Sequence, residues 1–358
     1  MQPYHLVPVM NGRVKDFIKY FVSLGVAALL LYFSFRGIKW DDFIACLKAC
    51  RMEYVLLSMA AGVLSFYFRA LRWRMLLLPI DPGTTVSSSF NAVNVSYIVN
   101  LALPRAGELV RCGFIARNSG TGPDGRRRAT VDKVFGTVVI DRAWDMFMVV
   151  ILIIMMMTLM WQRFGEYFRD DLLAGITQHL KLGWVFAAVA ATLAASVILL
   201  RKYRDRSRFC GKVYDIFSGI GTGLASCLKM SDSWKFMIYT LAVWCMYWLM
   251  SAGIVWSIQG MDTSALNPDM IALTEKLSGL DMLDALFLMV AGAISSIIPV
   301  PGGFGAFHFV VAGALSAVYG VPFGLGLIFA TLSHESQTVT QIICGGLSYC
   351  FETFRKRG

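Results

Sequence analysis

The chain has 358 residues, of which 57% are hydrophobic and 16% charged, with a mean hydropathy of +0.61 and a formal charge of +10. Soluble domains carry roughly 25% charged residues, so this composition excludes an ordinary soluble enzyme and implies a polytopic membrane protein. The positive charge would suit nucleic acid, but its distribution along the chain points to membrane topology.

An apolar run at 20–35 follows Arg13, Lys15 and Lys19. No small-residue cleavage site comes after it, so a retained first span is expected rather than a signal peptide. A short polar connection at 39–51 leads to a second span at 52–68, ending in RALRWR, where Arg69, Arg72 and Arg74 are expected to snorkel beside Trp73. Residues 86–103 are only weakly apolar, with Ser87, Ser88, Ser89, Asn91, Asn94, Ser96 and Asn100. They read as a re-entrant segment closed by Leu103 and Pro104. Further spans are expected at 135–160, 185–200 and 236–258, with a basic loop at 201–235 and an acidic stretch at 259–284.

The run at 285–319 contains PVPGGFGAFH, residues 299–308. Proline removes a backbone donor and glycine permits a sharp turn. Two half-helices, 285–298 and 304–319, are therefore expected to meet at a broken loop. Such backbone persists at bilayer depth only where protein or a watery cavity satisfies it, and broken helices of this kind build transporter sites. A last span at 324–351 ends in RKR.

With the amino terminus in the cytoplasm, most of the 33 basic residues fall inside, provided that 86–103 and 285–319 each return to the side they entered from. Both termini are then cytoplasmic. The expected fold class is an all-α polytopic membrane protein with about six full transmembrane helices plus two re-entrant broken-helix segments. It forms a single membrane domain over 1–358, with inverted pseudo-repeat halves at about 17–160 and 183–351.

Three groups carry candidate chemistry. In the first, Arg105, Glu108 and Arg111 lie at or near membrane depth, where arginine can grip a phosphate bidentately. Asp141 and Asp145 share a helical face, with Arg142 beside them. Ionisable groups within a span must pair or face water. The third group is a polar stripe of Thr331, His334, Thr338 and Gln341, with Glu335 and Gln337 alongside. It reads as a hydrophilic path or as interhelical glue. Amides at Gly302 and Gly303 would suit an anionic group. The dispersed cysteines and histidines suggest no metal site, and nothing suggests a cofactor.

LPRAGELVR (103–111), IDRAWD (140–145) and PVPGGFGAFH (299–308) together resemble the lysylphosphatidylglycerol synthase/flippase transmembrane-region family. Its larger relatives are the bacterial multiple peptide resistance factors, and the match in order and spacing covers nearly the whole chain. The chain departs from the family pattern at His308 and Asp141, where glutamate is usual. The resemblance implies a lipid-handling domain of the bacterial inner membrane, associated in larger relatives with moving aminoacylated phosphatidylglycerol. The aminoacyl-transferase part of those relatives is not in this sequence, so lysyl transfer is not expected of it. The leading expectation is a flippase or transporter for a phospholipid or aminoacylated phospholipid, partnered by membrane lipids with anionic headgroups. Arg105, Glu108, Arg111, Gly302 and Gly303 would bind the headgroup, Asp141, Arg142 and Asp145 would form a charge network, and His308, His334, Glu335, Thr338 and Gln341 would line a polar path. The alternatives are an enzyme of lipid- or polyprenol-linked transfer and a scaffold for a separate cytosolic synthase.

Overall fold

The computed structural model describes residues 40–122, 125, 127–160 and 227–355, with scattered positions at 21–22, 24–26, 28–32, 36, 201–202, 221, 223 and 225. The expected span at 185–200 lies outside the described residues and the basic loop at 201–235 largely does; within the expected span at 20–35, residues 21–22, 24–26 and 28–32 are described and helical. Among the described residues the chain is helical, with one isolated bridge between Thr121 and Arg127.

The expected polar connection at 39–51 is instead a helix, α1 (Trp40–Ala49), whose Phe43 and Cys46 are buried. The 26-residue α2 (Met52–Leu77) runs well past the expected end at 68. Its last residue, Leu77, lies two before Pro79, which has no amide with which to continue the helical hydrogen bonds. Next comes α3 (Val86–Ala102), whose first turn is capped by Thr85, the side chain accepting from the Ser88 amide at 3.1 Å. A turn at 103–105 reverses the chain into α4 (Ala106–Asn118).

The turn from α3 to α4 is tight for an identifiable reason. The Gly107 amide donates to Asn100 Oδ1 at 2.8 Å, and a Cβ at Gly107 would stand 2.0 Å from the Ser96 carbonyl oxygen. Only glycine permits this approach. Farther along, α5 (Val131–Leu159) has two faces. Asp141, Trp144, Met148, Leu152 and Met156 are buried, whereas Met146, Val150 and Ile154 are exposed as lipid-facing residues would be.

The second half of the described chain begins with α6 (Ser233–Gln259) and continues through the short α7 (Pro268–Ser278). Between them the Ser264 side chain, together with the Ser264 amide that donates to Asp262 Oδ1 at 3.0 Å, holds the Asp262 carboxyl below the usual range. α8 (Met282–Ser295) starts earlier than its apolar pattern suggests because Asp281 and Asp284 form a reciprocal capping box. Residues 301–303 make a single turn before α9 (Ala306–Tyr319), and Gly302 sits there at φ 59°, a conformation that costs other residues roughly 1–2 kcal/mol. The last helix, α10 (Phe323–Arg355), is 33 residues long. Both expected broken segments are thus helix–turn–helix pairs, α3/α4 and α8/α9.

Helices Met52–Leu77 and Ser233–Gln259 and the stretch Pro301–Tyr319 are long and apolar enough to cross a membrane. The long pair α2 and α6 pack against each other along much of their length, and each also packs on its own broken pair, α2 on α3 and α6 on α8. The second limb of each pair packs on the helix that follows, α4 on α5 and α9 on α10. The halves cross over, with α3 on α10 and α8 on α5.

Lipid tails are as apolar as leucine, so helices in a bilayer are held by close packing and interhelical hydrogen bonds rather than by exclusion of water. That accounts for the weak apolarity of 86–103. Ser88, Ser89, Asn91, Asn94 and Ser96 are buried rather than lipid-facing. Asn91 donates to Glu352 at 2.9 Å and Asn94 to Ser348 at 3.2 Å, fastening α3 to α10.

Candidate functional site

Where α2, α4 and α5 meet, the structure gathers a network of ionised groups. Asp141 and Asp145, four apart on α5, point the same way. Arg69 and Arg72, three apart on α2, face them. Arg72 donates to Asp141 Oδ1 through Nε at 3.0 Å and Nη2 at 2.6 Å, and through Nη2 to Asp145 Oδ1 at 2.8 Å. Arg69 donates through Nη1 to Asp145 Oδ2 at 2.7 Å and through Nη2 to the Tyr247 hydroxyl at 2.9 Å. The side chains of Arg72 and Asp141 are both wholly buried.

The second limb of the first broken pair completes the network. Arg111 Nη2 lies 2.8 Å from Glu108 Oε2, and Nη1 lies 3.7 Å from Asp141 Oδ2. Its guanidinium stacks over the Trp73 ring at 4.7 Å, and the Trp73 indole in turn donates to Thr137 Oγ1 at 3.0 Å. Arg142 donates from Nε to Glu108 Oε1 at 3.0 Å, also pairs with it through Nη2, and lies 3.5 Å from Asp145 Oδ2 through Nη1. Arg142 is the open member, with its side chain 38% exposed against 1% for Arg111.

This arrangement revises the sequence reading in two places. Arg69, Arg72 and Trp73 are not interfacial; they are buried, because α2 continues beyond them and the Asp141/Asp145 face receives the arginines. Arg74 alone of the three arginines turns outward from the network, donating to the Thr84 carbonyl at 2.7 Å. Arg105 does not join the network. It is exposed at the α3–α4 turn in a left-handed conformation, φ 63°, and makes no ion pair among the described residues. The i, i+3 spacing of Arg69 and Arg72 against the i, i+4 spacing of Asp141 and Asp145 is the signal that sequence reading passed over.

Near the second broken pair, His308 on α9 meets His334 and Glu335 on α10. His334 Nδ1 lies 3.1 Å from Glu335 Oε1, and His308 Nε2 lies 3.8 Å from the same oxygen. His334 Nε2 is 3.0 Å from the Gly302 carbonyl. The Gly303 amide donates to the Val300 carbonyl at 3.2 Å, so the glycine turn does not present two free amides to an anion. The rest of the polar stripe is dispersed. The Thr338 hydroxyl donates back to the His334 carbonyl at 3.1 Å, Gln337 reaches Ser58 on α2 at 3.3 Å, and half-buried Gln341 makes no side-chain hydrogen bond among the described residues.

The motifs that build both broken pairs and the charged network fall within one matched stretch: the sequence model of the lysylphosphatidylglycerol synthase transmembrane region matches residues 20–345. The chain belongs to the lysylphosphatidylglycerol synthase transmembrane-region family. No curated protein and no solved structure matches it significantly. Membership makes this a membrane-embedded domain in contact with lipid. In this member of the lysylphosphatidylglycerol synthase transmembrane-region family, Glu108, Arg111, Asp141, Arg142 and Asp145 converge, with Arg69 and Arg72 as the additional partners.

Proposed function

We propose that the chain moves a phospholipid or aminoacylated phospholipid between leaflets of a bacterial inner membrane. The observation that carries this reading is the charge balance of the network. Four guanidinium groups, Arg69, Arg72, Arg111 and Arg142, face three carboxylates, Glu108, Asp141 and Asp145, leaving one positive charge. Nε of Arg69, Nη1 of Arg72 and Nε of Arg111 are buried without a hydrogen-bond partner among the described residues. A buried excess charge with spare donors favours an anion, and a phosphate suits arginine's planar fork. Arg142, partly exposed, is the entry point for the headgroup, with the acyl tails remaining in the bilayer.

The same reading takes 17–160 and 183–351 as inverted halves of one membrane domain spanning 1–358. In support, several packed pairs correspond when α2, α3, α4 and α5 are exchanged for α6, α8, α9 and α10: α2–α3 corresponds to α6–α8, α4–α5 to α9–α10, and α3–α10 to α8–α5. Inverted halves allow alternating access by rocking one against the other.

Both termini are placed in the cytoplasm. In a background lacking the eight native cysteines, Ser264→Cys is expected to react with an impermeant thiol reagent on intact cells, and Lys229→Cys only after permeabilisation. The opposite pattern would reverse the orientation.

The ligand is tested by extracting lipid from protein purified in mild detergent and identifying it by mass spectrometry. Anionic phospholipid should be enriched over the bulk membrane composition, and Arg142→Gln should abolish the enrichment. Bound lipid that mirrors the bulk membrane in both proteins would contradict the proposed headgroup site.

A further inference from the structure

The contacts of His334 pose a problem of hydrogen-bond direction. Nε2 lies 3.0 Å from the Gly302 carbonyl oxygen, which can only accept, so Nε2 carries a proton. In neutral imidazole Nδ1 is then an acceptor. Nδ1 nevertheless lies 3.1 Å from Glu335 Oε1, and an ionised carboxylate also only accepts. With His334 neutral and Glu335 ionised, two lone pairs would face each other at this distance; a proton or a metal ion between them removes the conflict.

A third donor atom converges on the same point. His308 Nε2 is 3.8 Å from Glu335 Oε1, and the ligand atoms of His308, His334 and Glu335 all lie within 4.8 Å of one another. Tetrahedral zinc holds its nitrogen and oxygen ligands at about 2.0–2.2 Å, which sets neighbouring ligand atoms about 3.4 Å apart. The two observed separations bracket that value. A second proton on His334 would also satisfy its contact with Glu335, but it would not account for the convergence of His308 Nε2 on the same oxygen.

We propose that His308, His334 and Glu335 form a binding site for a divalent transition-metal ion of the zinc class. His334 binds through Nδ1, His308 through Nε2 and Glu335 through a carboxylate oxygen, leaving a fourth position for water. The surroundings fit such a site. The Gly302 carbonyl fixes the tautomer of His334, as outer-shell partners of metal-bound histidines do. The Phe304 and Phe307 rings stand 5.0 Å and 5.2 Å from the His334 ring and limit access of water. His308 is 1% exposed, while the Glu335 side chain, 41% exposed, leaves a route in from outside. The ion ties α9 to α10 and, through His334, to the 301–303 turn, so its presence fixes the second broken pair.

The test uses the full chain, tag-free in detergent, stripped with chelator and titrated with Co²⁺ while its visible absorption is followed. Zn²⁺ is then added in competition, and bound metal is counted by mass spectrometry. One ion per chain is expected, with the intense visible bands of four-coordinate Co²⁺ and a rise in the thermal midpoint. His308→Ala and Glu335→Gln should each weaken binding by at least the ~10–100-fold that loss of an outer-shell partner costs. Should His308→Ala fail to fold, Glu335→Gln, at the exposed ligand, carries the comparison, and its midpoint should no longer respond to metal. Wild-type protein that takes up no Co²⁺ or Zn²⁺, or a folded variant that binds as wild type does, would overturn the proposal. Proton uptake by the cluster without metal uptake would overturn it equally.

Discussion

Arg72→Ala is expected to destabilise the protein by about 3–5 kcal/mol, the loss typical of breaking one side of a buried ion pair. Arg72 and Asp141 are both fully buried, and Arg72 serves Asp141 and Asp145 together. Deleting the guanidinium leaves both carboxylates short of a partner, and Arg69 Nη1, 3.7 Å from Asp141 Oδ2, is too far to replace it without moving. Asp141→Asn should be similarly damaging, since it strands Arg72. Because the two residues share one interaction, the double variant should be less unstable than the sum of the singles. Glu53→Gln is the control, since its pair with Arg51 is exposed, and such pairs contribute little. Equilibrium unfolding in mixed micelles measures all four. Equal, negligible effects of Arg72→Ala and Glu53→Gln would mean that the network is not a coupled buried unit.

Gly107→Ala is expected to be the most damaging small substitution in the first broken pair. Its Cβ would approach the Ser96 carbonyl oxygen to 2.0 Å and Asn100 Oδ1 to 2.8 Å, and the first of these is backbone that cannot rotate away. The α3–α4 hairpin must open to admit the methyl group. Overpacking of this kind costs roughly 1–3 kcal/mol. The functional consequence should be larger than the loss of stability, because Glu108 and Arg111 lie on the same turns of α4 and would move with it. Gly113→Ala, on the same helix, meets nothing within 4 Å. Alanine there should be neutral or stabilising, by up to ~1 kcal/mol from helix propensity. Thermal midpoints of the two variants check the stability claim. Comparable midpoints would show that the hairpin tolerates side chains at its point of closest approach.

The helices were legible where local chemistry decides. Pro104 with Gly107, and the prolines and glycines of 299–305, mark both broken pairs, since their effects act within one turn of the chain. Polar residues in 86–103 signalled burial, although their partners, Ser348 and Glu352 on α10, were out of reach of any local pattern. The charged network was half legible. Asp141 and Asp145 declare themselves because carboxylates inside an apolar helix must find partners. Arg69 and Arg72 did not, because arginines beside a tryptophan at the end of an apolar run look the same whether they snorkel or are buried; their i, i+3 match to the Asp141/Asp145 face hints at burial, and the continuation of α2 to Leu77 decides it. Arg105 misled for the opposite reason. It is adjacent in sequence to the network, but a single left-handed residue turns its side chain outward. The meeting of His308 with His334 depends on how α9 lies against α10, and no spacing along the chain encodes that.

The most direct measurement is of lipid movement itself. Purified protein is reconstituted into liposomes containing a fluorescent anionic phospholipid, and dithionite reports the fraction of label in the outer leaflet over time. Wild-type protein should make inner-leaflet label accessible, and Arg142→Gln, at the partly exposed member of the network, should slow this while keeping the wild-type thermal midpoint. If well-folded wild-type protein moves no anionic lipid, with or without an ion gradient, the chain is not a lipid flippase.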